Sequence, residues 1–183
     1  MAHTLLTGIT GSGKTFTGKR LCRHLHLAGK RTAVLDPIGS RWETGFQTYD
    51  PDEFLDYARR ADDVHLFIDE CGDVFRSGDD RRVADFHWLT TRARHLGHGA
   101  FLMAQRAVQV PATMRGQCET LYLFTSSTPD GKVLAVEFNK PHLQECALLA
   151  KGEFFLCDRY SYNERGAIDF QNGKCWHRNY HRS

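Results

Sequence analysis

The sequence predicts an α/β fold in which a mainly parallel sheet lies between two layers of helices. Three observations carry that prediction. Short apolar stretches alternate with helix-like ones along the 183 residues, the pattern of repeated βαβ units. Stretches such as VHLFID at 64–69 and LYLF at 121–124 are almost continuously apolar, as strands buried on both faces must be. A glycine-rich string, Gly8-Ile9-Thr10-Gly11-Ser12-Gly13-Lys14-Thr15, separates the first apolar stretch from the first helical one.

Taken in order, His3–Gly8 reads as a strand and Gly13–Leu27 as a helix stopped at Gly29. Arg31–Asp36 is a second strand, ended by Pro37. Pro51 opens a helix to about Arg60, with Asp52 and Glu53 in the first turn where the helix dipole favours acids. Val64–Asp69 is a third strand, and one long helix is expected from about Asp80 to Leu96, ending at Gly97. Gly99–Ala104 is a fourth strand, Pro111–Gly116 a short helix and Thr120–Thr125 a fifth strand. After a polar segment come a helix near His142–Ala150 and a strand at Glu153–Asp158. Residues Gly166–Cys175 are expected to form a hairpin around Asn172-Gly173. One domain is expected, with a core over about 3–158 and a hairpin and basic tail over about 159–183.

Composition excludes several classes. The hydrophobic share is 41% and the charged share 25%, ordinary for a globular protein. No apolar run approaches the ~20 residues of a membrane helix, and no basic leader precedes the first strand. A cytoplasmic protein is expected. Cys22, Cys71, Cys118, Cys146, Cys157 and Cys175 fall without close pairs and read as free thiols. Cys157, Cys175, His177 and His181 match no common zinc spacing, so the tail reads as surface. His65 and Trp88 read as core residues rather than ligands. The net charge is only +2, but Phe86–Cys118 contains no Asp or Glu and holds Arg92, Arg94, Arg106 and Arg115. That stretch is expected to face phosphates.

The glycine-rich string satisfies G-x-x-x-x-G-K-[ST]. Its glycines let backbone N–H groups wrap a phosphate, and the helix that follows presents its positive end to the same anion. Thr10, Gly11, Ser12, Gly13, Lys14, Thr15 and Phe16 are the expected nucleotide contacts. Lys14 is expected to reach the β- and γ-phosphates, and the Thr15 hydroxyl to ligate Mg²⁺. The apolar strand at 64–68 ends in Asp69-Glu70. Asp69 is placed to hold the metal shell and Glu70 to polarise an attacking water. Gln105, at the end of the fourth strand, is placed to sense the γ-phosphate or the water.

A strand intervening between the loop and the Asp-Glu pair is similar to the additional-strand, catalytic-glutamate branch of P-loop ATPases. That resemblance implies a RecA-like three-layer core with sheet order 5-1-4-3-2. The segment Thr91-Arg92-Ala93-Arg94-His95-Leu96-Gly97, the strand ending in Gln105-Arg106, and Leu149-Ala150-Lys151-Gly152-Glu153-Phe154 resemble the FtsK–HerA superfamily of DNA-pumping ATPases. The resemblance spans about Leu5 to Leu156. It implies ATP as substrate with Mg²⁺, a homo-oligomeric ring, usually a hexamer, and an arginine acting on a neighbour's nucleotide, with Arg94, Arg92 and Arg115 the candidates in that order.

A nearly bare motor core resembles the genome-packaging ATPases of tailless, internal-membrane viruses. That implies double-stranded DNA and capsid or vertex proteins as partners, and a place in the host cytoplasm or at a virion vertex. Arg76, Arg81 and Arg82 are then expected to track DNA phosphates in a pore. Zot-like filamentous phage assembly proteins carry a similar Arg-His-x-Gly then Gln stretch. They normally continue into a membrane span, so this reading reaches a membrane only through a partner. A P-loop kinase or nucleotide-dependent switch is the alternative of another class, with Arg76–Arg82 as a lid. The base contacts are not readable from the sequence.

Overall fold

The computed structural model describes residues 1–75, 80–160, 163–172 and 174–179, with the side chains of Asp80, Asn163 and 174–179 outside that description. Among the described residues nine strands form one sheet. They are β1 (His3–Thr7), β2 (Arg31–Leu35), β3 (Phe46–Thr48), β4 (Val64–Ile68), β5 (Gly99–Ala104), β6 (Cys118–Phe124), β7 (Glu153–Asp158), β8 (Asn163–Asp169) and β9 (Lys174–Asn179). Their order is β3-β2-β4-β5-β1-β6-β7-β8-β9. The first six run parallel, and β7, β8 and β9 continue antiparallel. The first five of the strands expected from the sequence stand in the order 5-1-4-3-2, as β6-β1-β5-β4-β2. The unexpected β3 lies outside β2 as a three-residue edge strand, too short to leave a periodic signal.

The strands alternate their side chains between two apolar layers. Leu6, Val34, Phe67 and Met103 point to the face covered by helix α1 (Lys14–Leu27), where they meet Cys22 and Trp42. Leu5, Leu35, Leu66, Ile68, Leu102 and Leu123 point to the other face. Helices α2 (Pro51–Arg60), α4 (Asp80–Thr91) and α6 (Thr128–Glu137) cover that second face, with Phe54, Phe86 and Leu134 fully buried. Each fully buried aliphatic or aromatic side chain contributes about 1.5–3 kcal/mol. α2 begins as its sequence predicts: Asp50 caps it by accepting from Asp52 N at 2.8 Å, and Pro51 opens the first turn.

Two expectations change. The long helix over 80–96 stops at Thr91, and Ala93–Leu96 tightens into a 3₁₀ turn closed by Gly97. The adjacent Thr90 and Thr91 hydroxyls both donate back to the His87 carbonyl, at 3.2 and 2.8 Å, which competes with the helical ladder and bends it. The polar segment after β6 is in fact the start of α6: Ser127 is its N-cap, and Asp130 N donates to Ser127 Oγ at 3.3 Å. The C-terminal hairpin forms between β8 and β9, with Asp169 opposite Lys174. Gly173 lies outside the described residues. The five described cysteines are buried free thiols, and burial pushes the Cys157 thiol up to about 12. Among the described residues no helix is long and apolar enough to cross a membrane, and no three or more His, Cys, Asp or Glu side chains group so as to hold a metal ion between them. Cys175, His177 and His181 lie outside the described side chains.

Candidate active site

The glycine-rich loop leaves the C-terminal end of β1 and enters α1 through Gly13, whose φ is 118°. A Cβ there would stand 2.7 Å from Ile168 Cδ1 and 3.2 Å from Phe124 Cε1, so both the backbone angle and the space require glycine. The loop is folded around its own centre. Lys14 is 5% exposed and its Nζ donates to the Ile9 carbonyl at 3.1 Å. Burial lowers its pKa, and the nearby Glu70 and Asp69 carboxylates pull it back up. Ser12 Oγ and Thr7 Oγ1 are buried with no hydrogen-bond partner among the described residues.

The C-terminal ends of β4 and β5 complete the site. Thr15 Oγ1 donates to Asp69 Oδ2 at 3.1 Å, joining the two residues expected to share a metal. Burial raises the pKa of Asp69, against the N–H of Glu70 and the Thr15 hydroxyl, which lower it. A hydroxyl and a carboxylate this close are the hard oxygen donors that suit Mg²⁺, so the residues present fit the ion. Glu70 stands in the left-handed region, φ 46° and ψ 53°, at the start of the four-residue helix α3 (Cys71–Val74). A non-glycine residue there carries local strain, a feature that concentrates at functional sites. Gln105 Nε2 donates to Glu70 Oε2 at 3.1 Å. The structure thus brings Lys14, Thr15, Asp69, Glu70 and Gln105 to one edge of the sheet. Thr10, Gly11, Ser12 and Phe16 belong to the same loop and helix start.

Two further residues stand at this edge: Asp36, marked in the sequence only as a strand end, and Arg106, marked there only within the acid-free stretch and after Gln105. Asp36 ends β2, is 1% exposed, and accepts from Ser40, Trp42, Ile38 and Gly39. Burial alone would raise its pKa, but these bonds outweigh it and hold the carboxyl below its usual range. It shapes the 36–42 loop beside Asp69. Arg106 follows Gln105 directly and pairs with the buried Asp130 at 3.4 Å, its own side chain 57% exposed. The acidic strand end and the Gln-Arg pair were visible signals for both.

The arginines expected to act on phosphate are scattered. Arg92 and Arg94 precede β5, and Arg94 pairs with Glu119 near the start of β6 at 3.2 Å. Because β1, β5 and β6 are parallel, both arginines stand at the edge opposite the phosphate loop. They are exposed, and they can meet a nucleotide only on another copy of the chain. Arg115 is buried: Nε and Nη2 grip Glu137 at 2.6–3.2 Å, and Nη1 donates to the Ala107 and Val110 carbonyls. It holds α6 to the chain after β5 and, being buried, lies out of a neighbour's reach. Arg115→Met, which strands Glu137, is expected to lower stability by about 3–5 kcal/mol in urea unfolding, and a loss below about 1 kcal/mol would contradict this role. The acid-free stretch 86–118 is therefore not one phosphate-facing surface. Its middle passes through the core as β5, and the residues on either side of that strand stand at opposite edges of the sheet.

Of the expected pore residues, Arg76 lies outside the described residues. Arg81 and Arg82 line a cavity of about 470 Å³ with Arg59, Asp52, Asp56 and Asp85. Three carboxylates face three guanidiniums there, so that wall is charge-balanced. A groove of about 450 Å³ along α1 differs: Lys19, Arg20, Arg23 and Arg41 line it with Phe16 and Trp42 against one carboxylate, Glu43.

Comparison with known proteins follows the same lines. The family model described as Zonular occludens toxin (Zot) matches residues 47–131, under half of the chain. No curated protein sequence matches. The fold is similar to the genome packaging NTPase B204 of Sulfolobus turreted icosahedral virus 2 in complex with sulfate, at TM-score 0.70 and 16% identity over 97% of this chain and 96% of that one. It is also similar to the pCW3 conjugation coupling protein TcpA with ATPgS, at TM-score 0.65 and 15% identity over 86% of this chain and 57% of that one. VirB4 of Thermoanaerobacter pseudethanolicus matches at TM-score 0.65 and 10% identity over 89% of this chain and 87% of that one.

Proposed function

Because the chain has the fold of the FtsK–HerA-type P-loop ATPases, we propose that it is an ATP-hydrolysing motor that moves double-stranded DNA, packaging a viral genome into a capsid. The observation that carries hydrolysis is the Gln105–Glu70 bond beside the Thr15–Asp69 pair, at the edge where the phosphate loop opens. Backbone N–H groups of the loop receive the phosphates, and Lys14 exchanges the Ile9 carbonyl for phosphate oxygens. Thr15 and Asp69 would hold Mg²⁺, which would supply neutralisation of phosphate charge when bound. Glu70, positioned by Gln105, takes a proton from water as the water oxygen bonds the γ-phosphorus. The bond from that phosphorus to the β–γ bridging oxygen breaks, releasing ADP and phosphate. The Gln105–Glu70 bond supports water as the acceptor over the substrate of a kinase.

The DNA reading draws support from the likeness to the viral NTPase and from the positive groove along α1. Ring assembly, as a hexamer, would let Arg92 or Arg94 of one copy meet the nucleotide of the next, and capsid or vertex proteins would anchor the ring. The test is phosphate release from ATP with and without double-stranded DNA. The motor reading expects stimulation by DNA that fades as salt rises from about 50 to about 200 mM. Turnover indifferent to DNA at low salt would sink it. That outcome favours the second reading, a Zot-like assembly ATPase acting at a membrane through a partner, for which the family match over 47–131 is the specific observation.

A further inference from the structure

Lys14, Thr15, Asp69, Glu70 and Gln105 account for the phosphates of a nucleotide and give its base no partner. Topology says where the base lies. Asp69 and Glu70 follow β4 and Gln105 follows β5, and both strands stand on the same side of β1. A γ-phosphate facing these groups sends the nucleoside the other way, over β6, β7 and β8. β8 is antiparallel to β7, which is antiparallel to β6, so the C-terminal end of β8 rises beside the phosphate loop.

Phe170 follows that end and is 43% exposed. Its ring meets Phe16 edge to face, with centroids 5.5 Å apart and planes at 65°. Glycine backbone seats it from two further directions. A Cβ on Gly152 would come within 2.7 Å of Phe170 Cε2, and one on Gly13 within 3.5 Å of Phe170 Cζ. Lys151 Nζ lies 5.9 Å from the ring centroid. The turn beneath is pinned by Asp169, which accepts from Gln171 N at 3.0 Å and from Asn172 N at 3.1 Å. The ring is thus held in place while much of its surface stays open to solvent beside the loop.

We propose that Phe170, backed by Phe16, is the stacking platform for a purine base. The inference rests on the nucleotide reading above and adds the residue that selects the base. An aromatic face accepts any base and favours the larger ones, so ATP and GTP should bind alike and CTP less well.

The test is calorimetric titration of the full chain with ATP, GTP and inorganic tripolyphosphate, each with Mg²⁺, using the wild type, Phe170→Ala and Phe170→Trp. Wild type is expected to bind ATP more tightly than tripolyphosphate. Phe170→Ala should weaken ATP and GTP about tenfold and leave tripolyphosphate unchanged, and Phe170→Trp should restore both nucleotides. Parallel loss of ATP and tripolyphosphate in Phe170→Ala would overturn the proposal, because the ring would then only prop the loop through Phe16 and Gly13. Equal wild-type affinity for ATP and tripolyphosphate would overturn it without any variant and leave the phosphate site standing. Wild type that binds neither would overturn the nucleotide reading, and this inference with it.

Discussion

Glu70→Gln is expected to lower the turnover of ATP by about 10²–10⁴-fold while nucleotide affinity is kept or improved. The amide cannot accept a proton from water at neutral pH, so the chemical step loses its base. Little else changes. The side chain keeps its length, and its carbonyl oxygen can still accept from Gln105 Nε2, now 3.1 Å from Glu70 Oε2. Removing one negative charge near Lys14 and Asp69 also makes the site less repulsive to a triphosphate. Phosphate release and ATP binding measured on the same preparation separate the two effects. Undiminished turnover would assign the water to another residue.

Lys14→Met is expected to weaken ATP binding by about 2–4 kcal/mol, on the order of 10²-fold, without unfolding the protein. The lysine is 5% exposed and donates to a carbonyl of its own loop. Burial lowers its pKa, so holding the charge there costs the folded state free energy. A thioether of similar length keeps the stem packed and removes that cost. Thermal melting without nucleotide should therefore stay level or rise, while titration with ATP shows the loss. A melting temperature that falls with binding intact would contradict both halves.

Much of this was legible in the sequence because it is written locally. The glycine string, the apolar strand ending in Asp69-Glu70 and the strand ending before Gln105 each carry their signal within about ten residues. The order of the five strands came from resemblance and agrees with the structure. Other features depend on contacts that sequence spacing hides. Ser126-Ser127-Thr128-Pro129-Asp130-Gly131 reads as a loop, yet it caps and opens α6. Gly131 is there because a Cβ would meet Cys146 Sγ at 2.7 Å and the Leu143 carbonyl at 2.8 Å, an approach made by a segment twelve residues on. Arg94 and Arg106 look equivalent in the acid-free stretch, but β5 runs between them and sends them to opposite edges. Phe170 has no local mark at all. Only the antiparallel extension of the sheet brings it to the phosphate loop.

Turnover of ATP in ¹⁸O-labelled water, with the products weighed by mass spectrometry, checks whether this edge activates water against a γ-phosphate. Inorganic phosphate should carry one solvent oxygen and ADP none. Label in the ADP, or a phosphoryl group found on any acceptor other than water, would contradict that chemistry.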